Sequence, residues 1–206
     1  MTQEYAPGRL VDVVGEGPTV LLWHGRGPDN RLALTRLAAA VAASGRRVVV
    51  PDWDSTHEDG GRSDLLSSLR FARETADDDP DQLTLLGWSL GGIAAASLTL
   101  NQRRLGIGLA RTVLVAAGAF PYDDPISGAP VGPAKPPVQR TTTVAFVHAL
   151  RDELIATEDV HRAHADWSQA GWPVTLRELD ADHFSIVEDT ADEVASIVLR
   201  PPPSWE

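Results

Sequence analysis

A serine flanked by glycines stands in Leu85-Leu86-Gly87-Trp88-Ser89-Leu90-Gly91-Gly92, where an apolar run meets a stretch of small residues. Gly87-Trp88-Ser89-Leu90-Gly91 fits G-x-S-x-G, in which a sharp strand-to-helix turn lifts the serine hydroxyl clear of the backbone for attack. Such a turn brings backbone segments close together, and glycine on each side removes the Cβ atoms that would collide. By itself the five-residue pattern also describes a tight turn with an incidental serine. Its flanks argue for more: Leu83-Thr84-Leu85-Leu86 reads as a buried strand and Gly92-Ile93-Ala94-Ala95-Ala96-Ser97-Leu98 as a closely packed helix. A serine hydroxyl is a poor nucleophile at neutral pH, so it needs a base to take its proton and a carboxylate to hold that base in the right tautomer. Ser89, Asp152 and His183 supply these in the order serine, acid, base.

Six histidines compete for the base. His183 is preferred because it follows the last strand and has Phe184 and Ile186 to pack behind it. His24 reads as structural, His148 as a core or strand-end residue, and His57 as a loop residue near the rim of the site that touches substrate. His161 and His164 sit three apart on a helix, a spacing that suits a metal, but no carboxylate or cysteine set accompanies them, so they read as a solvated face. Asp152 has Glu153, Asp180 and Asp182 as rivals, and an acidic helix cap is its alternative role. Trp88 adjoins the serine and Trp53 follows a strand end, so both are candidates to line the entrance; core packing is the competing reading.

The elements that must carry these residues follow from hydrophobic pattern. Arg9–Val14 alternates like an edge strand. Thr19–Trp23, Arg47–Pro51, Leu83–Leu86, Thr112–Gly118, Thr143–His148 and Val174–Leu179 are further strands, the first of them a continuous apolar run that belongs in the sheet interior. Helical spacing is predicted over 31–44, 63–75, 92–98, 158–170 and 190–199. Strands that alternate with helices imply a mostly parallel central sheet with helices on both faces, because parallel neighbours need a crossover. Residues 1–206 are expected to form one α/β domain. The stretch from Phe120 to Arg140, with six of the 15 prolines, reads as a loop, and 200–206 as a tail. In such sheets reactive groups gather beyond the carboxyl ends of the strands, where His24-Gly25-Arg26-Gly27, Ser89, Arg151-Asp152 and His183 fall.

A net charge of −11 argues against nucleic acid or an anionic membrane as partner. The absence of cysteine excludes disulfides, thiolate metal sites and a cysteine nucleophile. No glycine loop of the phosphate-binding kind is apparent: Gly25-Arg26-Gly27 begins G-x-G-x-x-G, but Asn30 replaces its last glycine. No cofactor and no metal are expected. With acidic Glu4 near the start, no signal-like segment and no apolar stretch of spanning length, the expected location is cytoplasmic.

From Leu10 to Leu199 the chain resembles the α/β-hydrolase fold superfamily, as a small member with minimal or no cap. The order of strand, His-Gly loop, G-x-S-x-G, acid after a late strand and histidine after the last strand carries the likeness. The resemblance implies Ser89 as nucleophile, His183 as general base and then general acid, and Asp152 as the orienting carboxylate. It also implies an oxyanion hole from the backbone N–H groups of Arg26 and Leu90. The Arg26 side chain, beside that hole, is read either as steering a polar or anionic substrate or as simply solvent-exposed. The activity it implies is hydrolysis of a carboxylic ester of a small acyl group through an acyl-enzyme. A small-molecule ester is the expected partner, with the oligomeric state open. Thioesterase, lactonase, acyltransferase or peptidase chemistry on the same three residues, and a non-catalytic binding module, are the alternatives.

Overall fold

A computed structural model describes residues 1–118, 123–129, 134–137 and 142–199. The strands are β1 (Thr2–Ala6), β2 (Arg9–Val14), β3 (Thr19–Trp23), β4 (Arg47–Pro51), β5 (Thr84–Trp88), β6 (Arg111–Val115), β7 (Thr143–Ala149) and β8 (Val174–Leu179). The helices are α1 (Thr35–Ala43), α2 (Arg62–Glu74), α3 (Leu90–Leu105), α4 (Thr157–Gln169), α5 (Ser185–Glu188) and α6 (Ala191–Leu199). The strands lie in the order β1-β2-β4-β3-β5-β6-β7-β8. Pairing is antiparallel from β1 through β2 to β4 and parallel across the rest. The chain thus has the mostly parallel α/β sheet expected from the pattern.

Alternation along the central strands feeds two cores. Val20 and Leu22 of β3 join the cluster under α1, α5 and α6, whereas Leu21 and Trp23 join the one under α2, α3 and α4. Helices therefore cover both faces, which is why β3, β4, β5 and β6 are buried along their whole length and read as continuous apolar runs.

Three expectations are corrected. β2 is not an edge strand: Thr2–Ala6, which shows no clean alternation, pairs outside it as β1 and takes the edge. The helix expected from Arg31 begins as a 3-10 turn over Arg31–Leu34, where Arg31 is held by ion pairs to Asp12 of β2 and to Asp52 just beyond β4. The strand expected over Thr112–Gly118 ends at Val115, and a short helix, α5, follows His183. Of the proline-rich stretch, 123–129 and 134–137 contain no helix. The rest of that expected loop, and the expected tail at 200–206, lie outside the described residues. No helix among the described residues is long and apolar enough to cross a membrane.

From β3 the chain passes to β4 on one side and then returns to β5 on the other. The ends of β3 and β5 thus flank the point where strand order reverses, the place at which an open parallel sheet leaves a crevice.

Candidate active site

Ser89 occupies the turn between β5 and α3 with φ 56° and ψ −123°, a conformation that non-glycine residues avoid. Its backbone is fixed on both sides: Ser89 N–H donates to Val115 O, and Ser89 O accepts from the amides of Gly92 and Ile93. The surrounding glycines are sterically required. A Cβ on Gly87 would stand 2.2 Å from Gly91 O, and one on Gly91 would stand 2.3 Å from His24 O. These contacts seat the start of α3 against the end of β3, so the serine and the His24-Gly25-Arg26 loop are forced into the same crevice.

His183 lies between β8 and α5 and is 5% exposed. Its Nε2 is 2.9 Å from Ser89 Oγ and its Nδ1 is 2.8 Å from Asp152 Oδ2. An ionised carboxylate only accepts, so Nδ1 carries the ring proton and Nε2 is left to receive the serine hydroxyl's. The ring is clamped from behind, with Trp88 Nε1–H donating to the His183 carbonyl at 2.9 Å and the Trp88 and Phe184 rings packed against it. The strand end that carries the acid is tied to the histidine loop through Leu150 N–H to Leu179 O and Arg151 N–H to Ala181 O.

The Asp152 side chain has no exposed surface. Burial raises its pKa, but the hydrogen bond with His183 and the N–H groups of Ile155 and Leu154 on Oδ1 outweigh burial and hold the carboxyl below its ordinary value. Its rivals are occupied elsewhere: Asp180 pairs with Arg151, Asp182 accepts from the Phe184 and Ser185 amides at the start of α5, and Glu153 is exposed.

Ser89 opens into a cavity of about 390 Å³. Arg26, Ser55 and Asp123 form its polar wall, and Leu90, Ile93, Leu154 and Ile155 its apolar wall. Leu90 is the first residue of α3, so its N–H has no partner within the helix, and the positive end of the helix macrodipole is at the serine. The Arg26 amide, at the opposite lip, has no acceptor among the described residues. The loop that carries Arg26 is held by Gly27 N–H donating to Ser55 Oγ at 2.9 Å and by the Pro28–Asp54 bridge.

His24 is fully buried, and burial pushes its pKa down to about 4. Its Nδ1–H donates to Gly25 O, while Nε2 accepts from the amides of Asn30 and Trp53. The neutral ring thus stitches the Arg26 loop to the end of β4, the structural role its position suggests. Trp53 stacks on it with ring centroids 5.3 Å apart.

The entrance roles expected of Trp53, Trp88 and His57 are not met. Trp53 is fully buried and Trp88 is 3% exposed, both inside the core: alternation along β5 sends Trp88 to the face of α1, α5 and α6, and Trp53, two residues past β4, is held against His24. His57 turns away to Asp54 and Arg9, outside the cavity wall. The wall residues missed from sequence had faint signals: Ile93 is one helical turn after Ser89, and Leu154 and Ile155 directly follow the acid. Ser55 and Asp123 had none. His148 is buried and donates to or accepts from Thr157 Oγ1, a core position as expected. His161 pairs with Glu178 on the surface, whereas His164 is not on a solvated face but edge-on to Phe146, with its pKa lowered by burial. Among the described residues no three His, Cys, Asp or Glu side chains are grouped to hold a metal.

No family model matches the chain. A pimeloyl-[acyl-carrier protein] methyl ester esterase of Aeromonas hydrophila subsp. hydrophila is 34% identical over 96 residues, covering 44% of this chain. The match spans 35% of that curated relative's length. Among solved structures, Thermogutta terrifontis esterase 2 phosphoramylated by tabun superimposes with a TM-score of 0.74 at 13% identity, over 97% of this chain and 93% of that one. The thioesterase domain from the curacin biosynthetic pathway gives a TM-score of 0.67 at 18% identity, over 97% and 98% of the two chains. At such identities the likeness is one of fold.

Proposed function

We propose that this chain, which has the α/β-hydrolase fold, is a serine hydrolase that cleaves carboxylic esters of small acyl groups through an acyl-enzyme. The observation that carries the reading is the unbroken file from Ser89 Oγ through His183 to Asp152, at 2.9 and 2.8 Å, opening on the 390 Å³ cavity. In the first half-reaction His183 Nε2 takes the Ser89 proton as Oγ attacks the ester carbonyl. Asp152 keeps the ring in the tautomer that can accept it and stabilises the imidazolium. The amides of Leu90 and Arg26 face the negative charge that develops on the carbonyl oxygen, usually the largest electrostatic contribution to such a step. His183 then gives its proton to the departing alkoxide, and the acyl group stays on Ser89. Water enters the alcohol's place and attacks the acyl carbon as His183 takes its proton; the acyl–Oγ bond then breaks as His183 returns that proton to Ser89 Oγ, and the carboxylic acid leaves.

Two features support a small acyl group. The cavity is modest and has a polar wall of Arg26, Ser55 and Asp123, unlike the deep apolar tunnel that a lipid chain requires. The β6-to-β7 connection is proline-rich in sequence, which disfavours a helical cap. The names of the relatives, two esterases and a thioesterase, support ester hydrolysis and say nothing of a small acyl group. We further read residues 1–206 as a single domain without cofactor, acting in the cytoplasm.

Fluorophosphonate labelling with mapping of the modified residue tests the proposal, followed by a panel of short-chain p-nitrophenyl esters, thioesters and lactones. Labelling confined to Ser89, and turnover abolished by Ser89→Ala, is the expected result. A native protein that takes up no probe and turns over no member of the panel refutes it.

A further inference from the structure

We propose that Ile93 sets the length of the acyl chain that this site accepts, by closing off an apolar void that a longer chain would otherwise enter. The inference rests on the acyl-enzyme reading above. Ile93 is one turn of α3 beyond Ser89 and 4% exposed. It borders two spaces at once: the cavity into which Ser89 opens, and a separate void of about 20 Å³ between α3, α4 and the sheet. Its lining is mostly apolar: Ala96, Leu114, Ala117, Phe146 and Trp167 surround it. It is about large enough for one water, but a buried water needs two to four polar partners, so the site suits hydrocarbon.

The partition between the two spaces is thin. Ile155 lies on the cavity wall, and its Cγ2 is 3.0 Å from where a Cβ on Gly118 would be; Gly118 in turn lines the void. Ile93, Ile155 and the bare backbone of Gly118 are thus what separates the void from the serine.

Direction identifies which half of the ester would enter. The leaving alcohol must face His183, which protonates it, and His183 is backed by Trp88 and by the core of the α1, α5 and α6 face. The void lies within the other core, among Leu114, Phe146 and Trp167. A chain that grows from the acyl carbon, away from His183, meets Ile93. A chain that grows from the alcohol oxygen does not. Ile93→Ala removes everything beyond Cβ and joins void to cavity.

The test compares kcat/KM for p-nitrophenyl esters from acetate to octanoate in the wild type, Ile93→Ala, Ile93→Val, and Ile93→Ala combined with Ala96→Leu, which refills the void from its far wall. Acetate esters of lengthening alcohols serve as the second series. The hexanoate-to-acetate ratio is expected to rise about fourfold for each methylene newly seated, on the order of tenfold or more in Ile93→Ala. A smaller rise is expected in Ile93→Val, a return toward wild type in the double variant, and no matching shift in the alcohol series. An unchanged acyl profile in a variant that still takes fluorophosphonate at Ser89 overturns the inference, as does an equal shift in both series. Should Ile93→Ala fail to fold, the Ile93→Val profile decides: no shift there overturns it. Absence of labelling in the wild type would instead refute the parent reading.

Discussion

The carboxylate of Asp152 accepts three hydrogen bonds, and their division between its oxygens decides what Asp152→Asn does. Oδ1 takes two backbone donors, Leu154 N–H at 2.8 Å and Ile155 N–H at 2.9 Å, while Oδ2 takes His183 Nδ1–H. An amide has one acceptor oxygen, and the two backbone donors claim it. Turning the amide over would set its NH2 group against both of them, at about 1–3 kcal/mol for the partly buried Ile155 N–H and about 0.5–1.5 kcal/mol for the exposed Leu154 N–H. At a total of roughly 1.5–4.5 kcal/mol, the turned form is held below about a tenth. The NH2 group therefore faces His183, whose Nδ1 must become the acceptor. The ring proton moves to Nε2, which then cannot take the proton of Ser89. The wrong tautomer should lower kcat for a p-nitrophenyl ester by more than about tenfold, approaching about 10⁴ as the turned form vanishes. The melting temperature should change by only a few degrees, since the Leu154 and Ile155 bonds survive. Glu153→Gln and Asp180→Asn, outside the relay, should stay within about threefold of wild type. A kcat within tenfold of wild type in folded Asp152→Asn would refute the reasoning.

Gly91→Ala should abolish fluorophosphonate labelling at Ser89: its Cβ would fall 2.3 Å from His24 O and 2.6 Å from Trp23 O, and the shift of about 1 Å needed to relieve this is worth a hundredfold in rate. Labelling at the wild-type rate would contradict the close seating of α3 on β3. For His24, held near 4 against about 6.5 in the unfolded chain, the unfolded state binds the extra proton between those values, so its contribution is present above pH 6.5 and lost as pH falls toward 4. Chemical denaturation across that window should show wild type losing about 3 kcal/mol more than His24→Gln, and parallel curves would count against a buried neutral ring. Ser97→Ala should cost about 1–3 kcal/mol of stability, because the buried Asp124 carboxylate loses the Ser97 hydroxyl while the Ile126 and Ser127 amides remain; an unchanged denaturation midpoint would show the pair to be dispensable.

The chemistry-bearing residues were legible because their constraints are local. A serine at positive φ needs small neighbours, and Gly87 and Gly91 write that requirement into five consecutive positions. Runs buried on both faces announce the parallel strands, and the order of strand ends then selects Asp152 and His183 from several acids and histidines. What the pattern left undecided was direction. Trp88 is as close to Ser89 in sequence as a residue can be, yet alternation sends it to the opposite core, where it props His183 from behind. Trp53 likewise turns inward to stack on His24, and Ser55, two residues on, meets the cavity instead. Asp123 reaches the cavity wall from a distant segment, so no spacing could reveal it. Sequence alone determined which groups could react and the sheet that would carry them, since both depend on neighbours along the chain. Tertiary packing alone decided which side chains face the reacting serine, because that depends on how strands from across the chain are placed side by side.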